Sequence, residues 1–248
     1  MIFLELVPRQ LDTLKLEAEE SLAQFGSLTG INIPDVLRIE VRSHDAAMHL
    51  AQTGITAIPH IRAIDRSVEE TVAVVKNLWQ VGVSSVLIVS GDLPLNPAIA
   101  TYDVTPIEVI SAIKAHVSGI KVYAALDPYR HSIKQELDYA HHKIEAGADG
   151  FFTQPFFDAE LARIYLEQLT GTAVFLGISP VLGEKSLNYW KVRNHVVFPP
   201  SFEFTMDSQA ELAISLLSMA NRFNQHVYMM PITCPVDVYL QKVFERAS

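Results

Sequence analysis

The chain has 248 residues, with 49% hydrophobic and 19% charged side chains and a mean hydropathy of +0.20. Its 19 Lys and Arg against 28 Asp and Glu leave a net charge of −9, which argues against nucleic acid or an anionic membrane as the main partner. The apolar content excludes a globally disordered chain, no run approaches the ~18 apolar residues of a membrane span, and the single cysteine, Cys234, excludes an intrachain disulfide or a cysteine-rich zinc site.

The first strand-like run, 2–7, carries Glu5 between Leu4 and Leu6, and its start lacks the basic region of a signal peptide, so a cytoplasmic protein is expected. Leu11, Leu14, Ala18, Leu22 and Phe25 then recur at helical spacing. Apolar runs follow at 30–33, 56–60, 85–90, 121–126, 150–154, 173–179 and 226–233. Between them lie helix starts with chemical markers. Ser67-x-x-Glu70, Thr105-x-x-Glu108 and Ser208-x-x-Glu211 fit the capping box, Pro106 suits the first helical position, and Asp158 suits an N-cap. Leu212, Leu216, Met219 and Phe223 form the last helical stripe before the eighth run. The runs are continuous rather than alternating, as parallel strands covered on both faces are. Eight such strands alternating with helices over residues 1–248 predict an α/β fold, a (β/α)8 TIM barrel in one domain. A doubly wound sheet is the competitor. Its usual glycine-rich phosphate loop is missing, since Pro8-Arg9-Gln10 follows the first strand.

A barrel of this kind works at the C-terminal ends of its strands. Those ends here carry His60, Asp92, Asp127, Gln154, Ser179 and Thr233, with Glu5 inside the first strand. Most polar strand ends are simply first loop residues. Glu5 is either solvated or buried in the barrel mouth, where burial would raise its pKa and suit a general acid. His60, Asp92 and Asp127 form a conceivable metal triad of a barrel lyase. Asp138, His141 and His142 read more simply as a solvated helix face. Ser90-Gly91-Asp92 is not a nucleophile elbow.

Five phrases in order resemble the methylenetetrahydrofolate reductase family. They are Leu4-Glu5-Leu6-Val7-Pro8, Pro59-His60-Ile61-Arg62-Ala63-Ile64-Asp65, Val89-Ser90-Gly91-Asp92-Leu93-Pro94, the pair 143–149 and 153–158, and Gly177-Ile178-Ser179-Pro180-Val181. The resemblance covers nearly the whole chain. It implies a barrel that passes a hydride from NAD(P)H through FAD to 5,10-methylenetetrahydrofolate, with no metal. It places the general acid on Glu5, the aspartate beside flavin and pterin on Asp92, and a substrate-binding glutamine on Gln154. His60, Ser90, Gly91, Asp92, Leu126, Arg130, Glu136 and Lys143 fall at cofactor-contacting positions. The implied partner is a tetrahydrofolate-type small molecule, and a homo-oligomer is compatible with the sequence.

Departures from the family pattern fall on the flavin side. Ser90 stands where the family has arginine, Leu126 where it has tyrosine, and Cys234 where it has the arginine closing strand eight. Arg130 replaces a histidine in a loop about three residues shorter. The folate-facing set, Glu5, Asp92 and Gln154, is better kept. A folate-binding relative without redox chemistry, or one using NAD(P)H without flavin, is the alternative expectation, and the metal-dependent lyase is the third.

Overall fold

The computed structural model describes residues 1–94, 96, 98–232 and 234–247. The expected strand-end residue Thr233 lies outside them. Strands β1 (Ile2–Glu5), β2 (Gly30–Ile33), β3 (Ala57–Arg62), β4 (Ser85–Val89), β5 (Lys121–Leu126), β6 (Gly150–Pro155), β7 (Ala173–Ile178) and β8 (His226–Met229) are all parallel and close in chain order into a barrel. The helices between them are α1 (Leu11–Gln24), α2 (Ser43–Ala51), α3 (Val68–Gln80), α4 (Pro106–His116), α5 (Ile133–Glu145), α6 (Ala159–Gln168), α7 (Glu184–Arg193), α8 (Met206–Arg222) and α9 (Val236–Ala247). No helix among the described residues is long and apolar enough to cross a membrane.

Local chemistry sets most helix starts. Ser67 caps α3 and Thr105 caps α4, each through the reciprocal hydroxyl and carboxylate bonds of a capping box. Asp158 caps α6 by accepting from the Glu160 amide. Ser132 and Gln135 make a further capping box at α5 that the sequence reading passes over. At α8 the expectation is corrected: Thr205, not Ser208, is the N-cap, and Ser208 donates its amide to the Thr205 hydroxyl. Two strands, β1 and β8, also end two or more residues earlier than expected. Pro8 lies just beyond β1 and Pro231 just beyond β8, and proline has no N–H to continue a ladder.

Alternation along the strands splits the core into two layers. Outward residues such as Leu4, Ile31, Ile33, Ile61, Val86, Ile88, Leu126, Phe151 and Leu176 pack against the helices. Inward residues Phe3, Ile58, Leu87, Tyr123, Phe152, Phe175, Tyr228 and Met230 fill the barrel. This inner plug is largely aromatic. Phe152 stacks on Phe175 at 4.1 Å, and Phe3 and Tyr123 meet Phe175 edge-on at 5.6 and 5.1 Å. Such pairs add about 0.5–1.5 kcal/mol each beyond area burial. They close the barrel below and leave chemistry to the upper rim.

One irregularity shapes that rim. Between Phe152 and Pro155 on β6 there is one residue more than between Phe175 and Gly177 on β7, a β-bulge. Gly177 permits it, since a Cβ there would lie 2.5 Å from the Thr153 carbonyl oxygen. The Gly177 amide donates to the Thr153 hydroxyl at 2.8 Å, and Gln154 is exposed at the end of β6.

Candidate functional site

Three groups of side chains stand at the C-terminal ends of the strands. The first is the floor of the mouth. Glu5 follows Phe3 on the inward face of β1, and the Tyr228 hydroxyl on β8 donates to its carboxylate. Burial pushes the Glu5 carboxyl up from 4.5 to about 7, against the lowering effect of the tyrosine bond. The Tyr228 phenol is itself pushed well up by burial and by the neighbouring carboxylate. His60 on β3 lies 6.5 Å from the Tyr228 ring, centroid to centroid. Burial pushes its imidazole down to about 4, so it is neutral at pH 7. Asn32 on β2 is the register partner of Glu5 and is fully buried. Sequence reading passed over both Tyr228 and Asn32. Asn32 gave the same signal as Glu5, a polar residue between two isoleucines.

The second group surrounds the loop after β4. Arg62, at the end of β3 and 5% exposed, pairs through Nε with both oxygens of Asp65 at 3.0 and 3.1 Å. Its Nη2 donates to the backbone carbonyl of Asp92. Arg42 joins the same network, donating to Asp65 and, at 2.8 and 2.7 Å, to Asp35. Gly91 turns over this cluster with φ +90°, and a Cβ there would lie 3.0 Å from the Arg62 guanidinium carbon. The Ser90 carbonyl accepts from the Ile64 amide at 3.3 Å. Thus Asp92 is held by its backbone while its side chain is exposed. Arg62 is the register partner of Val89, which brings its guanidinium beneath the loop that carries Ser90. The signal for it was a charge closing an apolar run.

The third group lies behind the loop after β5. Glu136 on α5 is fully buried; it accepts from the Asp127 amide at 3.0 Å and takes two bonds from Arg130 Nη2, both 3.0 Å. Lys143, 3% exposed, donates to the Ala125 carbonyl at 2.6 Å and sits 4.0 Å above the Tyr139 ring. Burial pushes its ammonium down to about 8, with Glu136 acting in the opposite sense. Burial also raises the Asp127 carboxyl. The Tyr129 hydroxyl ties this loop to β6 by donating to the Pro155 carbonyl at 2.8 Å.

This arrangement sets several of the expected residues away from the open mouth. Leu126 is 1% exposed and faces the helices, because strand alternation turns it away from the axis; its side chain does not reach the mouth. Glu136 and Lys143 face inward to their own loop rather than outward, and they hold Arg130, the Asp127 amide and the Ala125 carbonyl. Arg130 keeps about a third of its side chain exposed. Glu5 and His60 come together on the floor, while Gln154 and Asp92 stand on the rim. His60, Asp92 and Asp127 do not converge, and among the described residues no three His, Cys, Asp or Glu side chains are placed to share a metal. Asp138 pairs instead with Lys134 at 2.6 Å on the exposed face of α5.

Residues 38–213, well over half of the chain, match the family described as "Methylenetetrahydrofolate reductase". The chain belongs to the methylenetetrahydrofolate reductase family. Among individual relatives, it is 28% identical over 155 residues to a 5,10-methylenetetrahydrofolate reductase of Pectobacterium carotovorum, covering 60% of this chain and 51% of that protein. It is 24% identical over 132 residues to the Escherichia coli K12 protein of the same name, covering 52% and 44%. A probable methylenetetrahydrofolate reductase (NADPH) of Caenorhabditis elegans is 25% identical over 189 residues, 69% of this chain and 28% of that one. The chain thus spans about half the length of the bacterial relatives it matches. Among solved structures, 2,3-dimethylmalate lyase and oxaloacetate acetylhydrolase superpose with TM-scores of 0.62 at 13% and 10% identity, each over 99% of this chain and 80% of the other. At such identity they speak for the barrel fold alone.

Proposed function

We propose that this member of the methylenetetrahydrofolate reductase family reduces 5,10-methylenetetrahydrofolate to 5-methyltetrahydrofolate, with NAD(P)H as reductant and FAD as carrier. The observation that carries the reading is Glu5: an inward carboxyl in the barrel mouth, bonded to Tyr228 and pushed up to about 7, in a chain of this family. A carboxyl poised near neutrality can give a proton and regain it at working pH. In this reading Glu5 protonates the bridging nitrogen, so that the five-membered ring opens to an iminium at the one-carbon unit. Asp92 places negative charge beside that cationic carbon, and its backbone bond to Arg62 fixes where the charge stands. Gln154 orients the substrate from the rim.

The residues present fit a flavin in part. The floor offers buried, unpartnered polar atoms on Asn32 and His60, and Gly91 gives a tight turn without a side chain, as a ring stacked at the mouth requires. His60, Ser90 and Gly91 would border the ring system, and the exposed part of Arg130 would meet the phosphates. Bound FAD would supply the two-electron step between NAD(P)H and folate. Arg130, steadied by Glu136, supplies charge to the pyrophosphate from a chain of net charge −9.

The test is direct. Purified protein is titrated with FAD while its visible spectrum is followed, and NADH or NADPH oxidation is then measured with methylenetetrahydrofolate. A flavin spectrum that shifts on binding, with folate-dependent oxidation, supports the reading. Folate binding by calorimetry without turnover in the presence of FAD would favour the non-redox alternative.

A further inference from the structure

On the β2–β3 side of the rim, two buried donors lack an acceptor. Arg66 follows the single turn Ala63–Asp65 after β3, and His44 stands in the first turn of α2. Arg66 Nη2 lies 3.4 Å from His44 Nε2. A guanidinium can only donate, so Nε2 accepts and the proton of the neutral imidazole sits on Nδ1. Burial pushes the His44 pKa down and so keeps the ring neutral; Asp45 and Asp35 oppose this, and Arg66 and Arg42 reinforce it. His44 Nδ1 and Arg66 Nη1 are both buried, and neither has a hydrogen-bond partner among the described residues. Both atoms are donors, so the missing group is an acceptor.

The surrounding charges show what kind of acceptor fits. Arg42 is paired with Asp35 and Asp65, and Arg62 with Asp65. Arg66 has the imidazole as its neighbour and no carboxylate within ion-pair distance among the described residues. Asp45 lies 3.8 Å from His44 Nε2, beyond hydrogen-bond reach, and is half exposed. The first turn of α2 adds to the surplus of donors, because its N-cap Arg42 gives no side-chain bond to the amides there. Water would meet the donors but leave the charge of Arg66 unanswered, whereas an oxyanion meets both. Arg66 keeps part of its surface exposed, which leaves a way in from solvent.

We propose that Arg66 and His44 form an oxyanion subsite on the β2–β3 side of the rim, suited to a phosphate monoester or a carboxylate. Asp65 links it to the mouth, since it binds both Arg42 and Arg62, and Arg62 holds the carbonyl of Asp92. The subsite stands on this geometry; the identity of its occupant rests on the reductase reading. In that reading two reactants carry an oxyanion outside their rings, NADPH in the 2′-phosphate that distinguishes it from NADH, and the folate in its glutamyl carboxylates. Free phosphate is the third source.

The test begins with the anion alone. Melting temperatures of wild type and Arg66→Met are compared in sodium phosphate and in sodium chloride of equal ionic strength. A ligand that binds only the folded protein raises its melting temperature, so phosphate should stabilise wild type and not the variant. A wild type that melts alike in both salts, or a variant that gains as much as wild type, overturns the subsite. Arg66→Gln, which keeps a polar side chain, carries the comparison where Arg66→Met does not fold. Calorimetry then identifies the source. NADPH binding weakened about tenfold or more in Arg66→Met, the scale of one charge-assisted bond, with NADH binding unchanged, assigns the 2′-phosphate. The same loss for triglutamyl 5-methyltetrahydrofolate assigns the glutamyl tail. Phosphate stabilisation with neither loss assigns free phosphate. If wild type binds neither nicotinamide nor folate, the reductase reading fails, while the phosphate comparison still decides the subsite.

Discussion

Replacing Glu5 by Gln should make the protein more stable while making it a poor catalyst, and the stability gain should grow with pH. Burial moves the Glu5 carboxyl from 4.5 to about 7 in the folded state. The native state therefore holds this proton more tightly than the unfolded chain does, so stability falls as pH rises from about 4.5 to about 7. At about 1.4 kcal/mol per pH unit the full displacement is worth roughly 3 kcal/mol, and part of it is already lost at pH 5.5. Between pH 5.5 and pH 8 the remaining loss is about 2 kcal/mol. Glu5→Gln keeps the shape and a partner for Tyr228 but has nothing to ionise. Its advantage over wild type should be about 2 kcal/mol larger at pH 8 than at pH 5.5, or about 4–8 °C in melting temperature for a chain of this size. Urea denaturation at both pH values measures the difference, and folate reduction should fall by about a hundredfold or more, the usual contribution of a general acid. An advantage that does not change between the two pH values would refute the claim that Glu5 is a buried carboxyl titrating near neutrality.

Other consequences can be checked on the same protein. Tyr228→Phe removes a bond that lowers the Glu5 pKa, so the basic limb of the pH–rate profile for folate reduction should move to higher pH by about one unit; an unmoved limb would deny the coupling. Arg62→Leu leaves Asp65 with Arg42 as its cation but strands the Asp92 carbonyl, and should cost about 1.5–3 kcal/mol in urea denaturation, the scale of hydrogen bonds lost from a charged donor. A cost below about 1 kcal/mol would mean the network is mechanically idle. Gly91→Ala meets both a positive φ and the Arg62 guanidinium at 3.0 Å, whereas Gly171→Ala meets a positive φ of +86° with nothing within 4 Å. The first should therefore lower stability and turnover more than the second, whose cost is the backbone strain of about 1–2 kcal/mol.

Much of the barrel was legible because its determinants are local. Continuous apolar runs marked parallel strands, and Ser67, Thr105 and Asp158 marked helix starts through bonds made within three residues. The site was legible only in part. Glu5 stood out as a carboxylate between two leucines, yet its partner Tyr228 lies 223 positions away and meets it only because the last strand closes on the first. Leu126 looked like a ligand contact by sequence position, but direction on a strand is decided by alternation, and it faces the helices. Glu136 and Lys143 were expected at the cofactor and are buried in bonds to Arg130 and Ala125. Arg62 was hidden for a third reason. Its place depends on the register of β3 against β4, which sets it beside the loop after β4.

In the proposed reaction Glu5 gives the proton that opens the folate ring to the iminium, ahead of hydride delivery. Following the two half-reactions separately isolates that step. The FAD-loaded protein is reduced with NADH or NADPH in the absence of oxygen and then mixed with methylenetetrahydrofolate, and the return of the oxidised flavin spectrum is timed for wild type and Glu5→Gln. Reduction by NAD(P)H should proceed at similar rates in both proteins, while reoxidation by the folate should be about a hundredfold or more slower in the variant. Equal loss in both half-reactions, or reoxidation at the wild-type rate, would contradict it.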